Sequence, residues 1–338
     1  MNAANNITVR QEIQRNPVAD EVLALTAVIR PIISGILYAI KGEIVRELGG
    51  HEEISLQMLS RVYNQGDGDC GICFEYAVHD AMNRNDGRVL DRIETAIRLC
   101  NVPGKNPRSI LFGAEKTGAL KLIDTASNIL TDESRVLVGI QAQPPRLKKR
   151  LRQLAAAFRN PRTRLYLPYS IHGLWKADLF IGCTDSDRWV GTTVKNSLDK
   201  LESAQGLRIG IVPAKEGKSD RVRKDDSKNL VICPLLHDGD FMQTFYEGWQ
   251  IIQALMTSKM KMPSEAFLPR PSHRHVARML VDRAPFKALE VVEVLRSFAQ
   301  PELLTTNEKT LRLRPLDGEL VDNSTDLFVA PVPLSTDN

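Results

Sequence analysis

Glu75, Asp178 and Lys195 follow one another in an order that suits metal-assisted hydrolysis of a phosphodiester. That chemistry needs carboxylate oxygens to hold a hard divalent cation, and a lysine to orient or activate the attacking water and offset developing charge. Asp178 lies near the start of one strand-like run, Ala177 to Gly182, and Lys195 closes the next, Trp189 to Lys195. Adjacent antiparallel strands bring both to one end of a sheet. Glu75 falls in the stretch Cys73 to Met82, where Phe74, Ala77, Val78 and Ala81 form one helical stripe, while Glu75 and His79 stand four apart on another. Taken singly, each has an ordinary explanation as a turn residue, a solvated strand end or a water-facing helix position. Only their order along the elements points to a joint site.

The elements that must position them follow from periodicity. Val18 to Leu48 and Ile54 to Tyr63 space their apolar residues at three and four and read as helix, with Gly49-Gly50 as a break. Asn64 to Asp69 is a loop by composition, and residues 103 to 133 mix Pro, Gly and short helical patterns. Val136 to Ile140 reads as a short strand before Pro144-Pro145, and Lys148 to Phe158 as a basic helix. Then come runs of strand length, Thr163 to Tyr169, Ala177 to Gly182, Trp189 to Lys195, Leu207 to Val212 and Leu230 to Cys233, with a helix expected at Ser197 to Ala204. Phe241 to Met256, Val276 to Asp282 and Phe286 to Phe298 read as further helices, and the tail beyond Leu316 as loosely packed. The expected organisation is a mainly helical region, 1–145, donating helix 72–84 to an α/β core at 146–262, then a helical region at 263–316 and a tail at 317–338.

This order resembles the PD-(D/E)XK nuclease superfamily. The resemblance rests on Phe74-Glu75 in a helix before the sheet, on Lys176-Ala177-Asp178-Leu179-Phe180-Ile181 as the strand with the first acid, and on Thr193-Val194-Lys195 where the family has acid-x-Lys. It covers residues 72–84 and 163–235. It implies an α/β (α+β) fold with a restriction-endonuclease-like mixed sheet flanked by helices, and a Mg- or Mn-dependent nuclease. Asp178, Glu75 and the Val194 carbonyl would hold the metal, and Lys195 would be the catalytic lysine. Thr193 stands where the family has an acid, so either Glu75 supplies that carboxylate or the chain is a catalytically silent nucleic-acid-binding or assembly subunit. By resemblance alone the setting is DNA restriction, repair or defence, with a homodimer or a protein partner as a further expectation.

Charge distribution points the same way. The chain carries 45 Lys and Arg against 41 Asp and Glu, too small a bias to imply a polyanion partner. Between Glu133 and Asp178, however, there are ten basic residues and no acid. Arg146, Lys148, Lys149, Arg150, Arg152, Arg159, Arg162 and Arg164 are the candidates for holding a phosphate backbone; a solvated basic helix explains them equally.

Other motifs compete. Gln65 to Phe74 is similar to the papain-type nucleophile segment, and Lys195-Asn196-Ser197 to a later motif of that family, which would make Cys73 a nucleophile, His172 its base, Asn196 the orienting amide and Gln65 part of an oxyanion hole. Two extra residues separate Gln65 from Cys73, and the Trp-Gly that follows the later motif is missing. Gly66-x-Gly68-x-x-Gly71 follows a helix and carries Asp67 and Asp69, which repel a pyrophosphate, so it is no dinucleotide site. Cys70-x-x-Cys73 has no second pair to complete a zinc site, His273-x-His275 reads as a surface loop pair, and Asp238-x-Asp240 as helix N-terminal acids.

Length and composition set the outer bounds. With 338 residues, 43% hydrophobic and 25% charged, the chain is globular, neither disordered nor a disulfide scaffold. Five cysteines and no leader-like start give the expectation of a reducing, cytoplasmic setting. Val22 to Ile40 has the length of a membrane span, but Arg30 and Pro31 interrupt it, which favours a buried helix.

Overall fold

The computed structural model describes residues 6–13, 19–64, 69–113, 129–138, 144–215, 219–236, 241–265, 267–298 and 305–312. Strand β1 (Asn6–Ile13) pairs antiparallel with β9 (Thr305–Arg312) in a separate ribbon. The remaining strands, β2 (Pro107–Leu111), β3 (Arg135–Val136), β4 (Leu179–Cys183), β5 (Arg188–Val194), β6 (Leu207–Pro213), β7 (Arg223–Asp225) and β8 (Leu230–Leu235), form a seven-stranded mixed sheet. Its order is β2-β4-β5-β6-β8-β7, with β3 beside the start of β5. β2, β4 and β5 run antiparallel in turn, β5, β6 and β8 run parallel, and β7 returns antiparallel on β8.

The period of two along these strands divides the interior into two cores. Leu179, Ile181, Ile209, Ile211, Val231 and Cys233 face a large helical layer. It comprises α1 (Asp20–Ala39), α2 (Gly42–Glu47), α3 (Leu56–Val62), α4 (Asp69–Asn83), α5 (Gly87–Leu99) and, from later in the chain, α7 (Phe241–Thr257), α8 (Pro271–Val281) and α9 (Ala288–Phe298). Phe180, Trp189, Val212 and Ile232 face the other way, onto α6 (Leu147–Arg159) and two 3-10 helices, Pro161–Tyr166 and Tyr169–Lys176. The helices from both ends of the chain thus share one core. α1 is its centre: it is long and apolar enough to cross a membrane, but 72% of its apolar window is buried inside the protein, against α4, α7, α8 and α9.

Three expectations about elements are corrected. Thr163 to Tyr169 is not a strand but 3-10 turns, because Asn160 caps the first from its side chain, Pro161 opens it and Pro168 separates it from the second. Ser197 to Ala204 forms only a short 3-10 turn, Leu198–Lys200. The Lys228 ammonium donates to the Leu198 and Leu201 carbonyls at 3.5 and 3.1 Å, so these oxygens are satisfied without a continuing helix. The helix across Val18 to Leu48 breaks at Ile40 and Lys41, both extended. Strands β1, β2, β7 and β9 were outside the sequence expectation, and the tail beyond Leu316 and the Asp238-x-Asp240 acids lie outside the described residues.

Helix α4 is fastened on two sides. Arg30 of α1 pairs with Asp80, which also accepts from Arg84 at 2.7 Å. His79 Nδ1 lies 2.6 Å from Ser109 Oγ on β2, and the Asn83 amide sits 3.1 Å from Nε2. Burial pushes the His79 imidazole down to about 4, against 6.5 when solvated. The unfolded chain therefore binds a proton between these values that the folded chain does not, and stability rises with pH across that window. Chemical denaturation of the wild type is expected to show a loss of up to about 1.4 kcal/mol per pH unit from this residue as pH falls from 6.5 towards 4. In His79→Gln that part of the slope disappears; an unchanged slope would contradict a neutral His79 in the folded protein.

Candidate active site

Asp178 immediately precedes β4, between the ends of β2 and β5. Its backbone N–H donates to the Thr192 carbonyl at 2.9 Å, and its own carbonyl accepts from Phe112 and Gly113 at 2.9 and 2.8 Å. The side chain is fully buried. Its Oδ2 accepts from the Thr193 hydroxyl at 3.0 Å, the Val194 amide at 2.9 Å and the Lys195 ammonium at 2.7 Å. Three consecutive residues at the end of β5 thus converge on one carboxylate oxygen, because the hairpin register pairs Leu179 with Thr192.

Glu75 arrives from the helical layer. It is 7% exposed, and its Oε1 lies 3.8 Å from Lys195 Nζ. The three residues singled out for chemistry therefore meet, from a helix, a strand start and a strand end separated by up to 120 residues. Two buried carboxylates thus flank one ammonium. Carboxylate oxygens are also the donors that a hard divalent cation takes, and Mg needs only one or two of them alongside water. The residues present fit such an ion.

Gly113 completes the group, and the sequence reading missed it. A Cβ there would stand 2.6 Å from Glu75 Oε2 and 3.5 Å from the Asp178 carbonyl. The available signal was a glycine ending an apolar run, which marks close approach of another group to the backbone. Thr193 likewise gains a role: 2% exposed, it hydrogen-bonds Asp178 in the position where an acid was expected.

The basic residues divide. Arg146 pairs with Glu133 at 2.9 Å, Lys148 with Asp132 at 3.5 Å, and Arg150 bonds Gln153 at 2.8 Å. Arg164 donates to the Ala157 carbonyl at 2.8 Å and lies 3.7 Å over the Trp175 ring, so its first duty is packing. Arg146, Lys148, Lys149, Arg152, Arg159 and Arg162 are exposed. The apolar side of α6, including Leu151 and Leu154, is buried in the second core, so the helix turns its basic side outward.

The competing constellations do not assemble a site. Cys73 lies within α4, fully buried, and donates to the Ile32 carbonyl of α1 at 3.5 Å, where no substrate reaches it. His172 is exposed on the second 3-10 helix, Asn196 follows β5, and Gln65 lies outside the described residues. His273 is not on a surface loop: it is 4% exposed within α8, and its Nε2 is 3.4 Å from Glu247. Glu21, Glu247 and His273 bring ligand atoms within 4.8 Å, but Arg270 already bonds Glu247 at 2.7 Å and reaches Glu21 at 3.5 Å.

Comparison of the chain with protein-family models, with curated proteins and with solved structures gives no match. The geometry carries the functional reading by itself.

The crowding at Gly113 has a measurable signature. Gly113→Ala is expected to cost about 1–2 kcal/mol in the wild-type background, through overpacking against Glu75. In a Glu75→Ala background the same change is expected to be neutral or stabilising. Equal costs in both backgrounds, measured by urea denaturation, would show that Gly113 and Glu75 do not meet.

Proposed function

We propose that this chain is a metal-dependent nuclease that hydrolyses phosphodiester bonds of nucleic acid, with DNA as the expected substrate. The observation that carries the reading is the meeting of Asp178, Glu75 and Lys195, the lysine 2.7 Å from one carboxylate and 3.8 Å from the other. A restriction-endonuclease-like core belongs to the same proposal. It is supported by the order of α4, β2, β4, β5 and β6 and their antiparallel then parallel pairing. The short turn at Leu198–Lys200 replaces the helix expected of that family.

In this mechanism Asp178 and Glu75 would hold Mg or Mn, with the Val194 carbonyl as a third oxygen. A metal held there would supply Lewis acidity and an easily deprotonated water. Lys195 donates from its ammonium to the attacking water and offsets charge on the phosphoryl oxygens. Thr193 aims the Asp178 carboxylate through its hydroxyl, and Glu75 replaces the acid that Thr193 does not provide. The exposed members of the basic stretch position the phosphate backbone without reading bases. A cytoplasmic role in restriction, repair or defence completes the proposal; Cys70, Cys73, Cys100, Cys183 and Cys233 are all free thiols, which suits a reducing compartment.

Thr193 also favours a second reading, a binding subunit without catalysis, and one experiment separates the two. Purified protein is incubated with labelled single- and double-stranded DNA and RNA in Mg or Mn and in EDTA. Metal-dependent cleavage is expected, reduced at least about a hundredfold in Asp178→Asn and Lys195→Ala. Asp178→Asn keeps the shape and oxygen that Thr193 and Val194 bond, and circular dichroism confirms that both variants fold. Binding without metal-dependent cleavage would overturn the nuclease in favour of the silent subunit.

A further inference from the structure

Between the basic helix and the Asp178 strand, the chain turns three large apolar side chains outward. Leu165, Tyr166 and Tyr169 are 82%, 84% and 82% exposed. Their backbone is nevertheless pinned: Leu167, Ile171 and Leu174 are buried in the second core, and Arg164 grips Ala157 and covers Trp175. The outward rings are therefore a feature of a packed segment. Aromatic surface so exposed marks an interaction site.

The charge around it selects the occupant. Residues 144–177 hold nine Lys and Arg and no Asp or Glu; Arg146, Lys148 and Lys176 pair with Glu133, Asp132 and Glu202 from outside that stretch, and the remaining cations keep the face basic. A second copy presenting the same face would meet its own positive charge. A polyanion whose monomers carry flat apolar faces satisfies both properties, because bases stack on aromatic rings while phosphates meet the arginines. Bases paired inside a duplex are not open to rings that stand on a protein surface. The 3-10 helix Tyr169–Lys176 leads directly from this patch to Asp178. At about 2 Å per residue it spans roughly 16 Å, or about five base steps of 3.4 Å.

We infer that Tyr166 and Tyr169 are a stacking platform for unpaired bases, with Arg159 and Arg162 on the adjoining phosphates. The preferred ligand is a single strand, or a duplex carrying an unpaired end, entering the site a few nucleotides from the scissile bond. This rests on the reading above that the chain handles nucleic acid.

The test is fluorescence anisotropy in EDTA with a labelled twenty-residue oligothymidylate and a blunt duplex of equal length. The variants are Tyr166→Ala/Tyr169→Ala and Tyr166→Phe/Tyr169→Phe, both at exposed positions. The alanine pair is expected to weaken single-strand binding at least about tenfold, while the phenylalanine pair stays within about twofold. Blunt-duplex affinity is expected to stay within about twofold in both. Unchanged single-strand affinity in the alanine pair, equal losses for both ligands, or a dimer that the alanine pair dissociates in sedimentation would overturn the platform. Wild-type cleavage without any tyrosine effect removes the platform and leaves the nuclease; tyrosine-dependent binding by a chain that never cleaves does the reverse.

Discussion

A carboxylate with no exposed surface at the end of a sheet is the constraint on which the surrounding structure depends. Removing such a charge from water costs several kcal/mol unless hydrogen bonds and a counter-charge replace the water. For Asp178 the replacements include the Thr193 hydroxyl, the Val194 amide and the Lys195 ammonium, all on one oxygen. They exist only in one register, since a shift of one residue between β4 and β5 would turn Thr193 and its neighbours to the opposite face. The same shift would exchange Leu179 and Phe180 between the two cores. Hydrophobic pattern and buried charge thus select the same pairing.

The helical layer answers to that point as well. Glu75 is useful only at one depth and rotation of α4, and two contacts on the following turn, with the space left at Gly113, set both. Asp80 is tied to Arg30 in α1, His79 to Ser109 in β2, and Gly113 leaves room for the Glu75 carboxylate. α1 is itself held among α7, α8 and α9. Helices from the far end of the chain therefore support the helix that carries Glu75, which accounts for a core much larger than the sheet alone requires.

Asp178, Lys195 and Glu75 were legible because each depended on local pattern plus one antiparallel pairing. Two strand-like runs, Ala177 to Gly182 and Trp189 to Lys195, follow each other closely, and the stripe of Phe74, Ala77, Val78 and Ala81 marks Cys73 to Met82 as a helix packed in the core, although Glu75, on the other stripe, is buried as well. What was not legible depended on distant partners. β2 is ordinary in sequence and becomes a strand because its edge meets β4. The expected helix at Ser197 to Ala204 has suitable spacing, but Lys228, nearly thirty residues on, takes the carbonyls a helix would use. Thr163 to Tyr169 has strand-like residue types, yet its rings face water because Pro161 before it and Pro168 within it set the backbone. Gly113 shows its purpose only once Glu75 is beside it.

The central claim is that Asp178 and Glu75 form one cation site. Titration of Mn(II) followed by electron paramagnetic resonance tests it without substrate and without turnover. The expected result is a bound ion in the wild type, with binding weakened at least about tenfold in both Asp178→Asn and Glu75→Gln, as removal of either carboxylate from a two-carboxylate site requires. Mn(II) binding that is absent in the wild type, or unchanged by both substitutions, would contradict the metal site and with it the assignment of hydrolytic chemistry to these residues.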